Sequence, residues 1–262
     1  MSRASHPFLA VPYPIAMAHR GGAREAPENS RTAFQNAAKL GYRYIETDVR
    51  ATADGIVMAF HDSTLNRVTD RFGRISALPF SEVRRARIGG GDQIMTLEEM
   101  LEEFPDVNLN IDVKDQHTLQ PFVDLVKRLG VASRICVASF SATRLRTLRA
   151  RLGNTVAMSL APPEVAGLVA ASRMGPFARI ANLALPSSAS CVQIPVHQNR
   201  IPIVTRALVQ AAHRRNLAVH VWTIDDESTM NRLLDLGVDG ILTDRPTLLR
   251  SVMQARGYWP ES

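Results

Sequence analysis

The chain of 262 residues carries only two cysteines, no long apolar run and no block of like charge. Each scarcity excludes something. Cys136 and Cys191 sit in apolar, strand-like stretches without metal-site spacing. They read as buried thiols of a reducing compartment, not as a disulfide framework or a zinc site. The longest uncharged stretch, residues 180–199, is broken by Pro186, Pro195 and a serine cluster, so no membrane-spanning helix or stable membrane insertion is expected. Residues 1–14 include Pro7, Pro12 and Pro14 and no continuous apolar core, which argues against a secretory signal and for a cytoplasmic location. No G-x-G-x-x-G turn follows the first apolar run, which argues against a dinucleotide-binding sheet. The formal net charge of +6 favours anionic partners, but Lys and Arg are spread along the chain, so no nucleic-acid partner is expected. Apolar and charged contents of 45 % and 21 % are ordinary for a globular protein.

What is present is alternation. Strand-like runs at residues 15–18, 44–49, 107–113, 134–140, 155–160, 191–196, 218–224 and 240–243 are each followed by a helical pattern. Those helices are expected at 30–40, 96–104, 118–129, 141–152, 163–172, 203–215, 227–236 and 247–256, several with a Ser or Thr at the start and a Gly after the end. Eight strand–helix units in one chain of this length predict an α/β fold, a (β/α)8 TIM barrel spanning 1–262. An open doubly wound sheet is the competing arrangement. Residues 63–94, rich in arginine and containing Gly89-Gly90-Gly91, read as a small polar insertion after the second strand and its hairpin. Residues 174–190 carry no convincing element.

The stretch around which the chain is organised is YIETDVRATADGIVMAFHD, residues 44–62. Glu46 and Asp48 are two apart in a strand and so share a face. Two carboxylates there are costly to bury without a partner, and a divalent cation is the natural one. Asp54-Gly55 predicts a two-residue turn pairing Ala53 with Ile56. That register sets His61 directly opposite Asp48, where an imidazole can carry protons near neutral pH.

In a barrel, chemistry collects at the C-terminal ends of the strands. His19 and Arg20 end the first, Glu46 and Asp48 the second, Asp112 and Lys114 the third, Trp222 the seventh, Asp244 and Arg245 the eighth. Three acidic side chains predict a Mg²⁺- or Ca²⁺-type site, and Arg20 and Lys114 suit a phosphate. Arg20 and Lys114 have an alternative role, neutralising the carboxylates in a structural ion-pair network. Asp244-Arg245-Pro246 reads as a turn that starts the last helix, with proline in its first position. His6, His117, His197, His213 and His220 have no comparable company and read as surface or packing residues.

Together these motifs resemble the glycerophosphodiester phosphodiesterase family over residues 15–249. The resemblance rests on His19-Arg20-Gly21, Pro27-Glu28-Asn29-Ser30, Glu46-Thr47-Asp48, Asp54-Gly55 leading to His61-Asp62, Thr96-Leu97-Glu98-Glu99, Asn110-Ile111-Asp112-Val113-Lys114, Val221-Trp222-Thr223 and Thr243-Asp244-Arg245-Pro246. It implies a metal-dependent barrel with a small insertion, hydrolysing glycerophosphodiesters to glycerol 3-phosphate and an alcohol. The implied roles are His19 and His61 as acid and base, Glu46, Asp48 and Asp112 as ligands of Mg²⁺, Ca²⁺ or Mn²⁺, and Arg20 and Lys114 on the phosphate. Glu28 either shapes the first loop or reaches a substrate hydroxyl, and Trp222 either packs against glycerol carbons or fills the barrel. Three positions depart from the family pattern. Asp112 stands where glutamate is usual, the asparagine after Trp-Thr is replaced, with Asp225 nearby, and Ser30 replaces threonine. The alternative activity is that of a related barrel lipase, a lysophospholipase D or sphingomyelinase D acting on lipid head groups, with an apolar rim sought at residues 174–185.

Overall fold

The computed structural model describes residues 6–174 and 189–259. Eight parallel strands form its centre: β1 (Ile15–His19), β2 (Tyr44–Ala51), β6 (Asn108–Val113), β7 (Ile135–Ala138), β8 (Ala157–Met158), β9 (Cys191–Pro195), β12 (Ala218–Trp222) and β13 (Gly240–Thr243). Their order round the sheet is β8-β7-β6-β2-β1-β13-β12-β9, and a separate short hairpin, β10 (His197–Gln198) and β11 (Ile201–Pro202), lies between β9 and β12 in the chain. A parallel bridge from Ser159 to Cys191 brings the two ends of that order together. The Leu160 N–H donates to Cys191 O and the Ser190 N–H to Met158 O, each at 2.9 Å, so the sheet closes into the expected barrel. Residues 174–190 fall almost wholly outside the described residues.

Helices α1 (Arg31–Lys39), α3 (Leu97–Glu103), α4 (Leu119–Leu129), α5 (Ala142–Leu152), α6 (Pro162–Arg173), α7 (Arg206–His213), α8 (Glu227–Leu236) and α9 (Pro246–Ala255) follow the eight strands. Their boundaries have local causes. Ser30 Oγ accepts from the Ala33 N–H at the start of α1. Thr96 and Glu99 exchange side-chain-to-backbone bonds of 3.0 Å each, a full capping box for α3. At the N-terminal end of the barrel, Phe8 packs edge-on against Tyr44 at 5.1 Å, and the Tyr44 hydroxyl donates to Phe8 O. This closes the floor over Met17, Cys136 and Cys191, and leaves the opposite mouth for chemistry.

Two expectations about the segment after β2 need correction. The hairpin to β3 (Val57–Ala59) pairs Ala51 with Val57 and Val49 with Ala59, not Ala53 with Ile56. The Thr52 N–H donates to Ile56 O, so the loop holds three residues, 53–55. Side-chain chemistry sets that length. The Thr52 hydroxyl donates to Asp54 Oδ1 at 2.6 Å and accepts from the Ile56 N–H at 2.9 Å, while Asp54 also accepts from the Phe80 N–H. Phe60, not His61, therefore lies opposite Asp48 and donates its N–H to Asp48 O. His61 stands just beyond the ladder. The segment 63–94 is also less polar inside than its arginines suggest. It contains α2 (Phe80–Val83) and the short hairpin β4 (Arg87–Ile88) and β5 (Asp92–Gln93). Leu65, Ile75, Val83, Ile88 and Ile94 form an apolar cluster with Met58 and Phe60.

Candidate active site

The loop after β1 is folded tightly by glycine. Gly21 has φ +81°, and a Cβ there would stand 2.8 Å from Ala33 Cβ. The close approach to α1 aims His19 and Arg20 at the strand ends. Strand registers pair Ala18 with Thr243, His19 with Glu46, and Asp48 with Asp112. The ends of β13, β1, β2 and β6 are thus contiguous, and they carry Asp244, His19, Glu46, Asp48 and Asp112.

Glu46, Asp48 and Asp112 are buried, at 6, 1 and 6 % exposure. Lys114 Nζ lies between two of them, 2.7 Å from Asp48 Oδ1 and 2.8 Å from Asp112 Oδ2. Arg20 Nε stands 3.1 Å from Asp48 Oδ2, and its Nη1 donates to Glu28 Oε1 at 3.0 Å. The Arg20 backbone N–H donates to Glu46 Oε2 at 3.1 Å. Asn29 Nδ2 donates to Asp48 Oδ2, and Thr47 Oγ1 donates to Asn29 Oδ1. As the side chains stand here, with Lys114 between Asp48 and Asp112, no three His, Cys, Asp or Glu among the described residues form a group that could hold a metal ion. Lys114 and Arg20 are ion-pair partners of Asp48, and Lys114 of Asp112 as well, the ion-pair role that the sequence left open for them.

The titrations follow from these contacts. Burial, and then the charge of Asp48, pushes Glu46 up to about 7. Burial pushes Asp48 the same way, but Lys114, Arg20 and His61 outweigh it and hold Asp48 below its ordinary value. Burial raises Asp112, and Lys114 offsets only part of that. Asp112 Oδ1 is buried and has no hydrogen-bond partner. An orphaned carboxylate oxygen and a glutamate driven toward protonation leave this oxygen-donor set short of positive charge. That deficit fits a hard divalent cation.

Each candidate catalytic histidine has its own carboxylate. His19 Nδ1 is 2.6 Å from Asp244 Oδ1, and its Nε2 is 3.6 Å from Glu46 Oε2. Burial lowers the His19 pKa, but Glu46 and Asp244 outweigh it and raise the value overall. His61 Nδ1 is 2.6 Å from Asp62 Oδ1. Arg67, from the 63–94 segment, donates to both Asp62 and Glu28 and holds Asp62 down to about 2. Glu28 is thus tied to Arg20 and Arg67, as a loop-shaping residue would be. Trp222 is half-buried and meets Phe140 edge-on at 5.7 Å, on the other side of the mouth.

Four of these residues received no site role from the sequence: Asp244, Asp62 and Asn29, although each stands in a quoted motif, and Arg67, which stands in none. Asp244 does precede a helix with Pro246 in its first turn, as expected, but its carboxylate also binds His19. A signal for it existed, because closing a barrel puts the first strand beside the last. Asp225 accepts from the Asp244 N–H at 2.8 Å and from the Thr243 hydroxyl, fixing that loop. Arg67 had no signal, since nothing local says where the 63–94 segment folds back.

Residues 19–248 match the model of the glycerophosphoryl diester phosphodiesterase family. The chain belongs to that family. It is 41 % identical over 246 residues, 94 % of this chain and 92 % of the other, to probable glycerophosphodiester phosphodiesterase 2 of Mycobacterium tuberculosis. It is 29 % identical to the glycerophosphodiester phosphodiesterase of Caldanaerobacter subterraneus, over 93 % of this chain and 99 % of that one. The crystal structure of a glycerophosphodiester phosphodiesterase from Agrobacterium tumefaciens superposes with a TM-score of 0.73 at 27 % identity, covering 90 % of this chain and 99 % of the other. Its enzymatic class is accordingly that of a glycerophosphodiester phosphodiesterase, a phosphoric diester hydrolase. No helix among the described residues is long and apolar enough to cross a membrane.

Proposed function

We propose that this glycerophosphodiester phosphodiesterase cleaves its substrate to glycerol 3-phosphate and an alcohol with His19 and His61 as general acid and base. The observation that carries the assignment is the pair of 2.6 Å contacts from His19 Nδ1 to Asp244 and from His61 Nδ1 to Asp62. A carboxylate on Nδ1 fixes the ring and its tautomer and leaves Nε2 for the reacting phosphate. One imidazole takes the proton of the attacking oxygen, and the other gives a proton to the departing alkoxide. Arg20 and Lys114 offset the charge of the phosphate oxygens, drawing on the positive charge now shared with Asp48 and Asp112.

Glu46, Asp48 and Asp112 would hold a divalent cation, Mg²⁺, Ca²⁺ or Mn²⁺. Bound there, it supplies Lewis-acid polarisation of a nonbridging phosphate oxygen. Asp112 is the ligand with free capacity, through its unpartnered Oδ1. Glu28 orients Arg20, and Trp222 offers a face to the glycerol carbons.

The test is a panel of glycerophosphodiesters with and without EDTA, read by release of glycerol 3-phosphate. Metal-dependent release supports the proposal. Undiminished turnover in metal-free protein refutes the role given to the three carboxylates.

A further inference from the structure

The backbone that carries Arg67 is clamped by its own segment. Leu65 is buried in the apolar cluster that residues 63–94 share with Met58 and Phe60, the residues that lead into His61. Thr69 Oγ1 donates to Leu65 O at 2.7 Å, and the Gly89 N–H donates to Val68 O at 3.1 Å. From this fixed turn the Arg67 side chain reaches back to the mouth of the barrel.

Its guanidinium makes two forks. Nε and Nη2 donate to Asp62 Oδ2 and Oδ1 at 2.6 and 3.1 Å. Nη1 and Nη2 donate to Glu28 Oε2 and Oε1 at 2.8 and 2.6 Å. Two of these oxygens are shared with the site. Asp62 Oδ1 is also the atom 2.6 Å from His61 Nδ1, and Glu28 Oε1 also accepts from Arg20 Nη1 at 3.0 Å. Arg20 Nε in turn stands 3.1 Å from Asp48 Oδ2. An unbroken chain of contacts therefore runs from His61 through Asp62, Arg67, Glu28 and Arg20 to Asp48. A planar guanidinium with donors on two edges closes it, and an ammonium lacks that geometry.

Two facts separate placement from stability. The His61 main chain is held by another group, since Arg50 Nε donates to His61 O at 2.8 Å. The Arg67 side chain is 48 % exposed, and ion pairs open to water contribute little to stability. What the two forks decide is where Asp62 and Glu28 stand, and so how the His61 ring and the Arg20 guanidinium face the phosphate.

We infer that Arg67 is a positioning residue of the phosphodiesterase reaction, setting His61 and Arg20 as one unit, and that the 63–94 segment serves to deliver it. The inference rests on the roles proposed above for His61 and Arg20. Arg67 acts through Asp62 and Glu28 and needs no contact with the substrate.

The experiment compares wild type, Arg67→Ala, Arg67→Lys and a control on the same segment, Arg85→Ala, whose exposed partner is Glu82. The substrate is glycerophosphocholine and the readout is release of glycerol 3-phosphate. In Arg67→Ala kcat is expected to fall by about 10- to 100-fold, the usual scale for losing a group that orients a reacting one. Arg67→Lys should recover little of it, because it restores the charge without the forks. Arg85→Ala should match wild type, and Tm should move by no more than about 4 °C in any of them. Methylguanidinium should raise kcat of Arg67→Ala and not of wild type, because a cavity of about 480 Å³ bordered by Pro27, Glu28 and Arg67 admits it. In an Asp62→Ala/Glu28→Ala background, where both acceptors are gone, removing Arg67 should cost less than about twofold. A rate for Arg67→Ala within twofold of wild type, full recovery by Arg67→Lys, or an undiminished loss in that background overturns the inference. So does a lost rate that methylguanidinium leaves untouched in a protein of lowered Tm, which marks a structural role. The ring-nitrogen NMR resonances of His61 report its placement without turnover. A single tautomer in wild type and a mixture in Arg67→Ala supports the placement, and if His61→Ala is then fully active, it is the proposed reaction that is refuted. Identical resonances in the two proteins overturn the placement itself.

Discussion

Asp244→Asn removes one charge and almost no volume, and it tests how much of the chemistry depends on the pairing of His19. The contact is short, 2.6 Å, and both side chains are little exposed, at 17 and 19 %. Water therefore screens the pair only weakly. Hydrogen bonds to charged groups contribute about 1.5–3 kcal/mol. At about 1.4 kcal/mol per tenfold, kcat is expected to fall by about 10- to 100-fold. The pH profile gives a second, sharper readout. Asp244 raises the His19 pKa, so its neutralisation must lower it. If His19 is the base, the acid limb of kcat/KM moves to lower pH; if it is the acid, the alkaline limb moves to lower pH. Both shifts are downward, and the limb that moves assigns the role. The assay is a profile of glycerol 3-phosphate release for wild type and variant, with thermal unfolding as a control. A rate within twofold of wild type and two unmoved limbs would refute the positioning argument.

The remaining predictions concern the other groups of the cluster. His19→Ala and His61→Ala should each lose about 10²–10⁴-fold in kcat, and a nitrophenyl phosphodiester, whose leaving group needs no proton, should rescue only the variant lacking the acid; equal rescue of both contradicts the division of labour. Asp112→Ala should weaken binding of Mg²⁺, Ca²⁺ or Mn²⁺ in calorimetry, whereas Asp112→Glu, which restores the missing methylene, should retain or tighten it; unchanged affinity in the alanine variant removes Asp112 from the metal site. In metal-free protein Glu46 is raised from 4.5 to about 7. A raised carboxyl contributes stability fully below its unfolded value and loses it as pH climbs through its folded value, so stability should fall from about pH 4.5 to 7. Glu46→Gln should flatten that decline in Tm, and an identical slope in the two proteins contradicts the burial argument.

Much of the fold was legible because its determinants are local. All eight barrel strands and their helices follow from apolar runs, caps such as Ser30 and Thr96, and glycines past helix ends. The strand period of two placed Glu46 with Asp48, and Asp112 with Lys114, on shared faces, and the end-of-strand rule put them with His19 at one mouth. The hairpin register was not legible, since it turned on a competition between a two-residue turn and the bonds that Thr52 and Asp54 make within a three-residue loop. One residue of difference moved His61 from the position opposite Asp48 to the end of the ladder, where Asp62 and Arg67 hold its surroundings.

The sequence by itself thus determined the barrel, its polar strand ends and the residue types available for phosphate chemistry, because propensity and period act over a few residues. Tertiary structure alone decided which of those groups touch. Barrel closure brought Asp244 to His19 across 225 positions of chain, Lys114 came to lie between Asp48 and Asp112, and the mouth separated into a charged half and an apolar half. The physical reason is that hydrogen bonds and ion pairs depend on distances of about 3 Å, and for residues far apart in sequence those distances are set by the path of the whole chain round the barrel.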